Sequence, residues 1–486
     1  MKPTLTVLDS SAILSIHQSA LELLQDVGVK YGSRLAEELL CDSGQRFEPR
    51  SGAMHIEPDL VERCLNQLPR RVHLAARDQK RDVVLGSGKI HTCLDGQGSF
   101  TLDPDSGQRR PSTLADLVSV TKLSDALDTI DFYWVPVVPS DVPDSVRTLV
   151  EVATAFTHTS RHVQHEIKHP AQVPYLLEML DALLGDRRRH ASRPIYSVVC
   201  CPVSPLQHEP EMTDACIEMA RNDVPICLMP MPLAGATAPV TLAGTLVMTY
   251  AEFLSGVVLY QLVRPGCPMI LAIGSTILDM RTGLYSAGAP ELGLLNIAMT
   301  QMGRHFRVPV MTQGLVSDAK APGAQAAYEK ALNGLSAFLA GCDAVNGLGL
   351  LDSHQLLAFE QLVIDDEITS MVRRQARGFE LDSDHLMLDL IREVGIGGHF
   401  LGQRRTLEHL KRGEHFNPKL SFRGSYEAWR ECQYDEIRAA RERVQHLLKE
   451  HEVAPLEPEV ERALRETIVR ADPSARLDML AARGGG

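Results

Sequence analysis

The sequence predicts an α/β fold, a TIM (β/α)8 barrel with an N-terminal helical and β extension and a C-terminal helical arm. From about residue 112 onward, short apolar runs alternate with longer segments of helical period. Seven such runs, roughly 30–40 residues apart, fit the spacing that a strand, a helix and two loops require. Polar and glycine-rich residues follow most of them, as they do at the carboxyl ends of barrel strands. The runs begin near residues 131, 161, 193, 223, 266, 307 and 342.

The eighth strand has two candidate positions, near 95–102 and near 396–401. A doubly wound sheet is the alternative fold, but no G-x-G-x-x-G motif follows a strand. The nearest run, Gly86-Ser87-Gly88, lacks the third glycine and the helix. We predict three parts, which are an N-terminal extension packed on the barrel, the barrel itself and the helical arm. They span residues 1–110, 111–420 and 421–486.

Composition excludes several classes of protein. The chain has 486 residues and a formal net charge of −13, so we expect no nucleic-acid partner. Its ten cysteines form no C-x-x-C pair, which is typical of reduced thiols rather than a disulfide framework. The start MKPTLTVLDS is unlike a secretory signal, and no run reaches the roughly 20 apolar residues of a membrane span. We therefore expect a cytoplasmic protein without a membrane partner.

The loops after the apolar runs are the first candidates for a site. In a TIM barrel they form the carboxyl-terminal face, where substrates bind. Each loop alone could be an ordinary turn, but a ring of small and charged residues favours a site. The positions that we expect to face a partner at this rim are Gly235, Ser275, Asp318 and Gly347.

The segment HTSRHVQHEIKH is the best metal candidate in the sequence. Its possible ligands are His158, His162, His165, Glu166 and His169, and the first two would share one helix face because they are four residues apart. The later residues break that spacing, and no H-E-x-x-H motif occurs. We therefore favour polar substrate contacts or helix-end histidines over metal ligands, and we expect no metal.

Aromatic residues make up only 5% of the chain, which makes the run Phe132-Tyr133-Trp134 informative. A tryptophan face attracts a quaternary ammonium ion through cation–π contact. Strand alternation would place Phe132 and Trp134 on one face and Tyr133 on the other. A plain core strand is the competing interpretation.

Several longer segments resemble the trimethylamine methyltransferase family. They keep one consistent order from about residue 10 to about residue 430, which covers the whole predicted barrel. The segments GGHFLGQRRTL and CPVSPL add to the match. The main ones are PMPLAGATAPVTLAGTLVMTYAEFLSGVVLYQLVRPGCPMI, STILDMRTGLYSAGAPE, SDAKAPGAQAAYEKAL and FEQLVIDDEI.

The resemblance implies a barrel that passes a methyl group from a small methylated amine to the cobalamin of a separate corrinoid protein. The family archetype carries pyrrolysine, whereas this sequence uses only the twenty standard residues. It therefore resembles the members without pyrrolysine, such as the glycine betaine:corrinoid methyltransferases. A quaternary amine suits this difference, because the departing tertiary amine is neutral and needs no protein acid.

On this resemblance, Phe132 or Trp134 would face the ammonium group, and Asp279 and Glu291 would be its carboxylate partners. A betaine carboxylate would need a donor such as Arg281, His158 or His162. His354 stands where relatives often carry glycine, which makes it a candidate substrate contact. Two positions depart from the family pattern, namely Gly323, commonly aspartate, and Arg405, commonly histidine.

Two other functions remain open at this point. Some corrinoid methyltransferases activate their substrates with zinc, and this chain could be such a zinc-dependent barrel. Alternatively, the departures at Gly323 and Arg405 could mark a non-catalytic paralogue that binds a methylated amine. The surfaces outside the barrel also allow a homo-oligomer.

Overall fold

The computed structural model describes residues 2–186 and 189–473. The chain begins with helices and short strands that cover one side and the lower end of the barrel. Side chains start the first two helices, because Asp9 accepts the Ala12 N–H and Ser33 accepts the Ala36 N–H. These elements are α1 Ser10–Asp26, α2 Arg34–Asp42, β1 Arg46–Glu48, β2 Ala53–His55, α3 Pro58–Gln67, β3 Val72–Leu74 and β4 Val83–Leu85.

The middle of the chain alternates strands and helices. The elements up to β11 are β5 His91–Leu94, β6 Phe100–Leu102, β7 Arg109–Pro111, α4 Leu114–Ala126, β8 Tyr133–Trp134, α5 Arg147–His158, β9 Val163–Glu166, α6 Val173–Leu184, β10 Tyr196–Cys200, α7 Pro210–Arg221 and β11 Ile226–Leu228. Those that follow are β12 Leu233–Ala234, α8 Leu242–Val263, β13 Met269–Ile273, β14 Thr276–Asp279, β15 Leu284–Ser286, α9 Pro290–Phe306, β16 Val310–Gln313, α10 Ala324–Ala340, β17 Ala344–Leu348, β18 Leu350–Leu351, β19 Leu356–Leu357 and α11 Phe359–Arg377.

Eight of these strands form one parallel sheet in the spatial order β5, β17, β16, β13, β11, β10, β9 and β8. The two ends of the sheet meet, because the Asp131 N–H, just before β8, donates to the Thr92 carbonyl of β5 at 2.8 Å. The sheet is therefore a nearly closed barrel, and the predicted TIM fold is confirmed. Helices α4 to α11 surround it in the βα order that right-handed crossovers produce.

All seven apolar runs contain barrel strands, as predicted. The eighth strand is β5, which lies just before the first candidate position, 95–102, whereas 396–401 contains no strand. Because β5 comes first in the chain, the barrel begins inside residues 1–110. The strand escaped prediction because it is a run of only four residues, HTCL.

The barrel interior is filled by alternate residues of the strands. Phe132 and Trp134 pack inward with residues such as Ile270 and Met311, whereas Tyr133 packs outward toward the helices. The predicted alternation along β8 is confirmed. The β3–β4 hairpin closes the lower end, since its apolar side chains belong to the same interior cluster.

Helix α8 is long and apolar enough to span a membrane by length and composition alone. Of its most apolar window, 72% is buried inside the protein, where the helix packs against α1 and α3. An apolar helix with protein on most sides is what a large soluble core also produces.

The C-terminal arm wraps around the outside of the barrel. Helix α16 packs on α11 and α4, and α17 packs on α6 and α5. Residues 474–486 of the predicted arm lie outside the described residues. The helices after α11 are α12 Ser383–Leu386, α13 Leu388–Val394, α14 Arg404–Lys411, α15 Tyr426–Cys432, α16 Glu436–Glu450 and α17 Pro458–Ala471.

Candidate functional site

Buried polar side chains gather at the carboxyl ends of the barrel strands, a region that we call the mouth. Asp95 directly follows β5, Glu166 ends β9, Gln313 ends β16 and Asn346 lies in β17. All four side chains are buried. Buried polar groups normally have partners, so their contacts reveal whether they serve the fold or a ligand.

Asp95 is the centre of the mouth. Its Oδ1 accepts the Gly96 N–H at 2.8 Å and the Asn346 amide at 3.3 Å. Its Oδ2 lies 2.5 Å from the Nδ1 of His354. His354 Nε2 and Asn346 Oδ1 are buried without a hydrogen-bond partner. The cluster therefore carries hydrogen-bonding capacity that the protein itself does not use.

A strained turn places His354 beside Asp95. Asp352, Ser353 and His354 have φ angles of 51°, 52° and 75°, a left-handed conformation that costs free energy in residues other than glycine. Asp318 holds the turn, because its Oδ1 accepts the Ser353 hydroxyl at 2.6 Å. Backbone strain of this kind concentrates at functional sites. Glycine would adopt this conformation without strain.

Aromatic rings form the wall next to Asp95. Trp134 Nε1 is buried without a partner, and a Cβ on Gly96 would lie 2.6 Å from it. Only glycine at position 96 therefore lets the indole pack there. Tyr285 lies edge-on to His354 at a centroid distance of 5.5 Å and donates its hydroxyl to Gln313 Oε1 at 2.7 Å.

Glu166 is the second carboxylate of the mouth. Gln97 joins it to the rim, since the Gln97 amide nitrogen donates to Glu166 Oε2 and its Oε1 accepts Lys168 Nζ at 3.2 Å. Burial raises the pKa of Glu166, and the nearby His165 and Lys168 only partly oppose that shift. A bound cation would favour the ionised carboxylate.

Three further residues described at the mouth have sulfur-containing side chains without formal charge. Met229 follows β11 and contacts the Gln313 amide through its sulfur at 3.9 Å, and Met231 packs over Gly274. Burial raises the pKa of the Cys201 thiol, so this residue is a neutral thiol and not a nucleophile. Two carboxylates, aromatic faces and thioethers are groups that bind an organic cation.

The structure brings two of the predicted substrate contacts into the mouth, Trp134 and His354. Phe132 shares the interior face but lies deeper, where its ring packs against His162 at 6.4 Å. Tyr133 points outward and shares a hydrogen bond of 2.6 Å with Thr121. Phe132 is therefore a core residue below the mouth.

The histidine-rich segment does not form a ligand set. His158 ends α5 and lies on the outside of the barrel under α17, beside Glu461. His162 follows that helix, so the two share no helix face. Its Nδ1 lies 3.0 Å from the Ala75 carbonyl and its Nε2 lies 2.8 Å from the Ser197 hydroxyl. These hydrogen bonds fix the lower end of the barrel and leave no nitrogen for a substrate.

The remaining predicted contacts lie outside the mouth. Asp279 ends β14 and accepts the Arg281 N–H at 2.8 Å, so it braces the β14–β15 turn. The Arg281 side chain is 91% exposed, and Glu291 lies in the first turn of α9, where a carboxylate complements the helix dipole. None of the three forms a hydrogen bond or ion pair with the buried polar residues of the mouth, because Asp279 and Arg281 lie at the turn of the hairpin and Glu291 lies on a surrounding helix.

The four predicted rim positions differ in how deeply they are buried. Ser275 bonds Thr249 at 2.7 Å and Gly347 packs against Leu315, so both are buried and offer no surface to a partner. Asp318 joins two mouth loops, since it also accepts the Ala287 N–H at 2.7 Å. Gly235 lies between β12 and α8 at the partly exposed rim.

Sequence reasoning missed Asp95, Tyr285 and Gln313, and it considered Glu166 only as a metal ligand. The signal that was available is position, since three of these four lie at or just beyond the end of a barrel strand. Tyr285 comes from a hairpin that the sequence did not reveal.

The two departures from the family pattern lie outside this cluster. Gly323 precedes α10, which starts without a side-chain cap, a role that an aspartate fills well. Arg405 binds Asp389 at 2.9 Å and the Asp384 carbonyl at 2.8 Å within the segment after α11.

A possible metal-ligand group lies in that same segment. His385, His409 and Glu414 could bring one ligand atom each to within 4.8 Å of one another. Asp382 accepts from His385 Nδ1 at 2.7 Å, and Arg412 lies 3.2 Å from Asp384 in the same cluster. These residues supply no side chain to the mouth.

Comparison with known proteins decides the family. A family profile described as trimethylamine methyltransferase matches residues 1–475. The chain belongs to the trimethylamine methyltransferase family. It is 31% identical to a trimethylamine methyltransferase of Desulfitobacterium hafniense over 457 residues, which cover 94% of this chain and 92% of that one. This methyltransferase is also 29% identical to a glycine betaine methyltransferase of the same species, covering 96% of this chain and 97% of that one.

A solved structure supports the fold of this methyltransferase. The hydroxylamine complex of MtmB matches with a TM-score of 0.54 at 11% identity, over 93% of this chain and 89% of that one. The likeness is one of fold, and it agrees with the barrel described above. The chain is therefore a TIM-barrel enzyme of the methyltransferase class.

Proposed function

We propose that this enzyme moves a methyl group from a small quaternary amine to the Co(I) of a corrinoid carried by a partner protein. The observation that carries the proposal is the buried group of Asp95, Glu166 and Trp134 at the mouth. It offers two carboxylates and an aromatic face to a cation. The similarity of this chain to a glycine betaine methyltransferase suggests that the substrate is a quaternary amine.

The residues of the mouth bind and orient the amine. Trp134 and the two carboxylates hold the ammonium group, and the thioether of Met231 keeps the wall apolar so that water is excluded. No acid is required, because a quaternary amine departs as a neutral tertiary amine. The barrel contributes position, which accounts for much of the rate enhancement in such transfers.

The corrinoid would supply a strong nucleophile at the exposed methyl carbon. The lower end of the barrel is filled by the β3–β4 hairpin, so the partner would dock at the mouth. The rim there exposes apolar side chains, with Val240, Met280 and Leu284 each more than 60% exposed. Exposed apolar groups beside a site are typical of docking surfaces.

The test is methyl transfer to free cob(I)alamin, followed by absorbance, with a panel of quaternary amines and trimethylamine. We expect methylation of the cobalt with at least one quaternary amine and none with trimethylamine. A rate with trimethylamine alone would contradict the proposal. Asp95→Asn is the matched variant, since it keeps the shape and removes one charge.

Two alternatives give different results in the same assay. A zinc-dependent enzyme would lose its activity with a chelator, and the cluster at His385, His409 and Glu414 is the place where zinc would bind. A non-catalytic paralogue would bind an amine without methylating cobalt. We propose that the enzyme needs no metal and no pyrrolysine, and that it acts in the cytoplasm.

We also propose that the enzyme is a homo-oligomer. The segment between α11 and α16 exposes large apolar side chains, among them Ile396 and Leu401, which is 89% exposed. Apolar surface of this extent is common where subunits meet. Light scattering on the purified protein tests this proposal.

A further inference from the structure

The polar residues of the mouth bear negative formal charge and no positive charge from lysine or arginine. Asp95 and Glu166 are 3% and 7% exposed. Gln313 and Asn346 are neutral amides, and Trp134 adds an uncharged ring. The two carboxylates therefore balance the charge of a cationic substrate. A negatively charged group on the same substrate would be repelled by them.

The nearest cations of the described chain are already engaged or lie outside. Lys330 is buried and interacts electrostatically with Asp95, but its ammonium group pairs with Asp365 at 2.7 Å. Lys168 is exposed and reaches only the far end of Gln97, whose other end binds Glu166. Arg109 stacks over the Phe100 ring at 3.4 Å. Arg281, which the sequence suggested as a carboxylate donor, points into solvent. His354 Nδ1 lies 2.5 Å from Asp95 Oδ2, so this histidine already faces a carboxylate.

The polar atoms that lack partners are suited to a neutral group. Trp134 Nε1 is a buried donor without an acceptor, and Asn346 Oδ1 is a buried acceptor without a donor. His354 Nε2 is also buried without a partner and can donate or accept according to its tautomer. A hydroxyl satisfies both kinds of atom because it donates and accepts. A carboxylate can only accept, and it would lose most of its hydration here without gaining a countercharge.

Resting on the function proposed above, we propose that the substrate is a quaternary ammonium ion without a carboxylate, whose second polar group is an uncharged one such as a hydroxyl. Choline has this chemistry and glycine betaine does not. The two carry the same trimethylammonium group and differ chiefly in the second group. The difference between their affinities therefore measures the effect of a negative charge on the second group.

The first experiment is calorimetric binding of choline, glycine betaine, tetramethylammonium and the neutral isostere 3,3-dimethyl-1-butanol to the full chain. We expect choline to bind at least tenfold more tightly than glycine betaine, with tetramethylammonium between them. The neutral isostere should bind more weakly than choline, because it lacks the charge that Asp95 and Glu166 compensate. Glycine betaine binding as tightly as choline would overturn the inference.

Two variants test the origin of the preference. Asp95→Asn and Glu166→Gln each remove one negative charge, so choline should bind about tenfold more weakly and its advantage over glycine betaine should shrink. Asp279→Asn is the control, since its carboxylate serves the β14–β15 turn. Lys168→Met decides whether the rim lysine holds a carboxylate. A specific loss of glycine betaine binding in that variant would count against the inference.

The outcomes separate this inference from the proposed reaction. Choline that binds as expected without methylating cob(I)alamin would refute the reaction and support the binding preference. Methyl transfer from glycine betaine with a higher kcat/KM than from choline would support the reaction and overturn the preference. Failure of all four compounds to bind a folded chain would refute both.

Discussion

Lys330 and Asp365 form an ion pair of 2.7 Å in which both side chains are 0% exposed. The same lysine donates to the Gly347 carbonyl at 3.1 Å, and the same carboxylate accepts the Gly349 N–H at 2.7 Å. The pair therefore fixes the end of β17, next to Asn346. Burial lowers the pKa of Lys330 and raises that of Asp365, so each partner needs the other.

We expect Lys330→Met to destabilise the fold strongly, because it leaves the Asp365 charge buried without compensation. The loss should be about 3–5 kcal/mol in the free energy of unfolding, measured by urea denaturation. Lys320→Met is the control. Lys320 pairs with Asp352 but is 63% exposed, so its loss should cost at most about 1 kcal/mol. Equal effects of the two variants would contradict this account.

Trp134→Leu should weaken binding of a quaternary ammonium ion by about 30-fold, since a desolvated cation–π contact is worth roughly 2 kcal/mol. Trp134→Phe should recover part of the affinity. Calorimetry measures both. The other tryptophan, Trp429, is 43% exposed, and Trp429→Leu should leave binding unchanged. In that control the fluorescence of Trp134 alone should respond to the amine, and no response would place the cation elsewhere.

The pH dependence of stability should report His162. Burial lowers the pKa of this histidine to about 3, below its ordinary value of about 6.5. In the unfolded chain this imidazole therefore takes up a proton below about pH 6.5. In the folded chain it does so only near pH 3. The contribution of His162 to the free energy of unfolding should fall by about 1.4 kcal/mol per pH unit within that window and be constant above it.

Urea denaturation at pH 7 and pH 5 checks this prediction. In His162→Asn the difference in stability between the two pH values should shrink by about 2 kcal/mol relative to the parent. His415 is exposed, and His415→Asn should leave the difference as it is. An unchanged difference in the His162 variant would show that the folded chain protonates this imidazole as readily as the unfolded chain does.

Asp318→Ala should impair amine binding more than global stability. Its carboxylate joins the Ser353 turn, which carries His354, to the loop at Ala287 that follows Tyr285. Without it, both side chains lose their anchor, and we expect about tenfold weaker choline binding. Asp352→Ala is the matched control in the same turn, because that carboxylate pairs with the exposed Lys320. Equal losses would mean that the turn as a whole, and not the anchor, sets the affinity.

The sequence predicted the barrel well because each strand needs an apolar run of its own. The run around Met269–Ile273, for example, is fully buried, and burial on both faces leaves a continuous apolar stretch that is easy to see. β5 has only four residues and includes His91 and Thr92. Its place in the sheet depends on pairing with β17, more than 250 residues away, which no local pattern records.

Two predicted contacts lie in the mouth, and they were predicted in different ways. Trp134 was informative as a residue type, because alternation along β8 fixes its direction, whereas His354 was chosen by its position in the family resemblance. Asp95 lies in the segment LDGQGS, which has the composition of an ordinary turn. Its role arises from Asn346 and His354, which the parallel order of strands and a strained turn bring to it. Asp279 and Glu291 had the right chemistry, but Asp279 lies at the turn of the hairpin and Glu291 lies on a surrounding helix.

The hairpin that fills the lower end of the barrel also determines the route by which ligands can enter and leave the enzyme. In the reaction proposed above, the amine and the cobalt would share one opening, so the arrival of the partner would enclose whatever the mouth already holds. Turnover should follow a compulsory order, with the amine first and the corrinoid protein second. Excess corrinoid protein should then slow the reaction by occupying the opening of the empty enzyme.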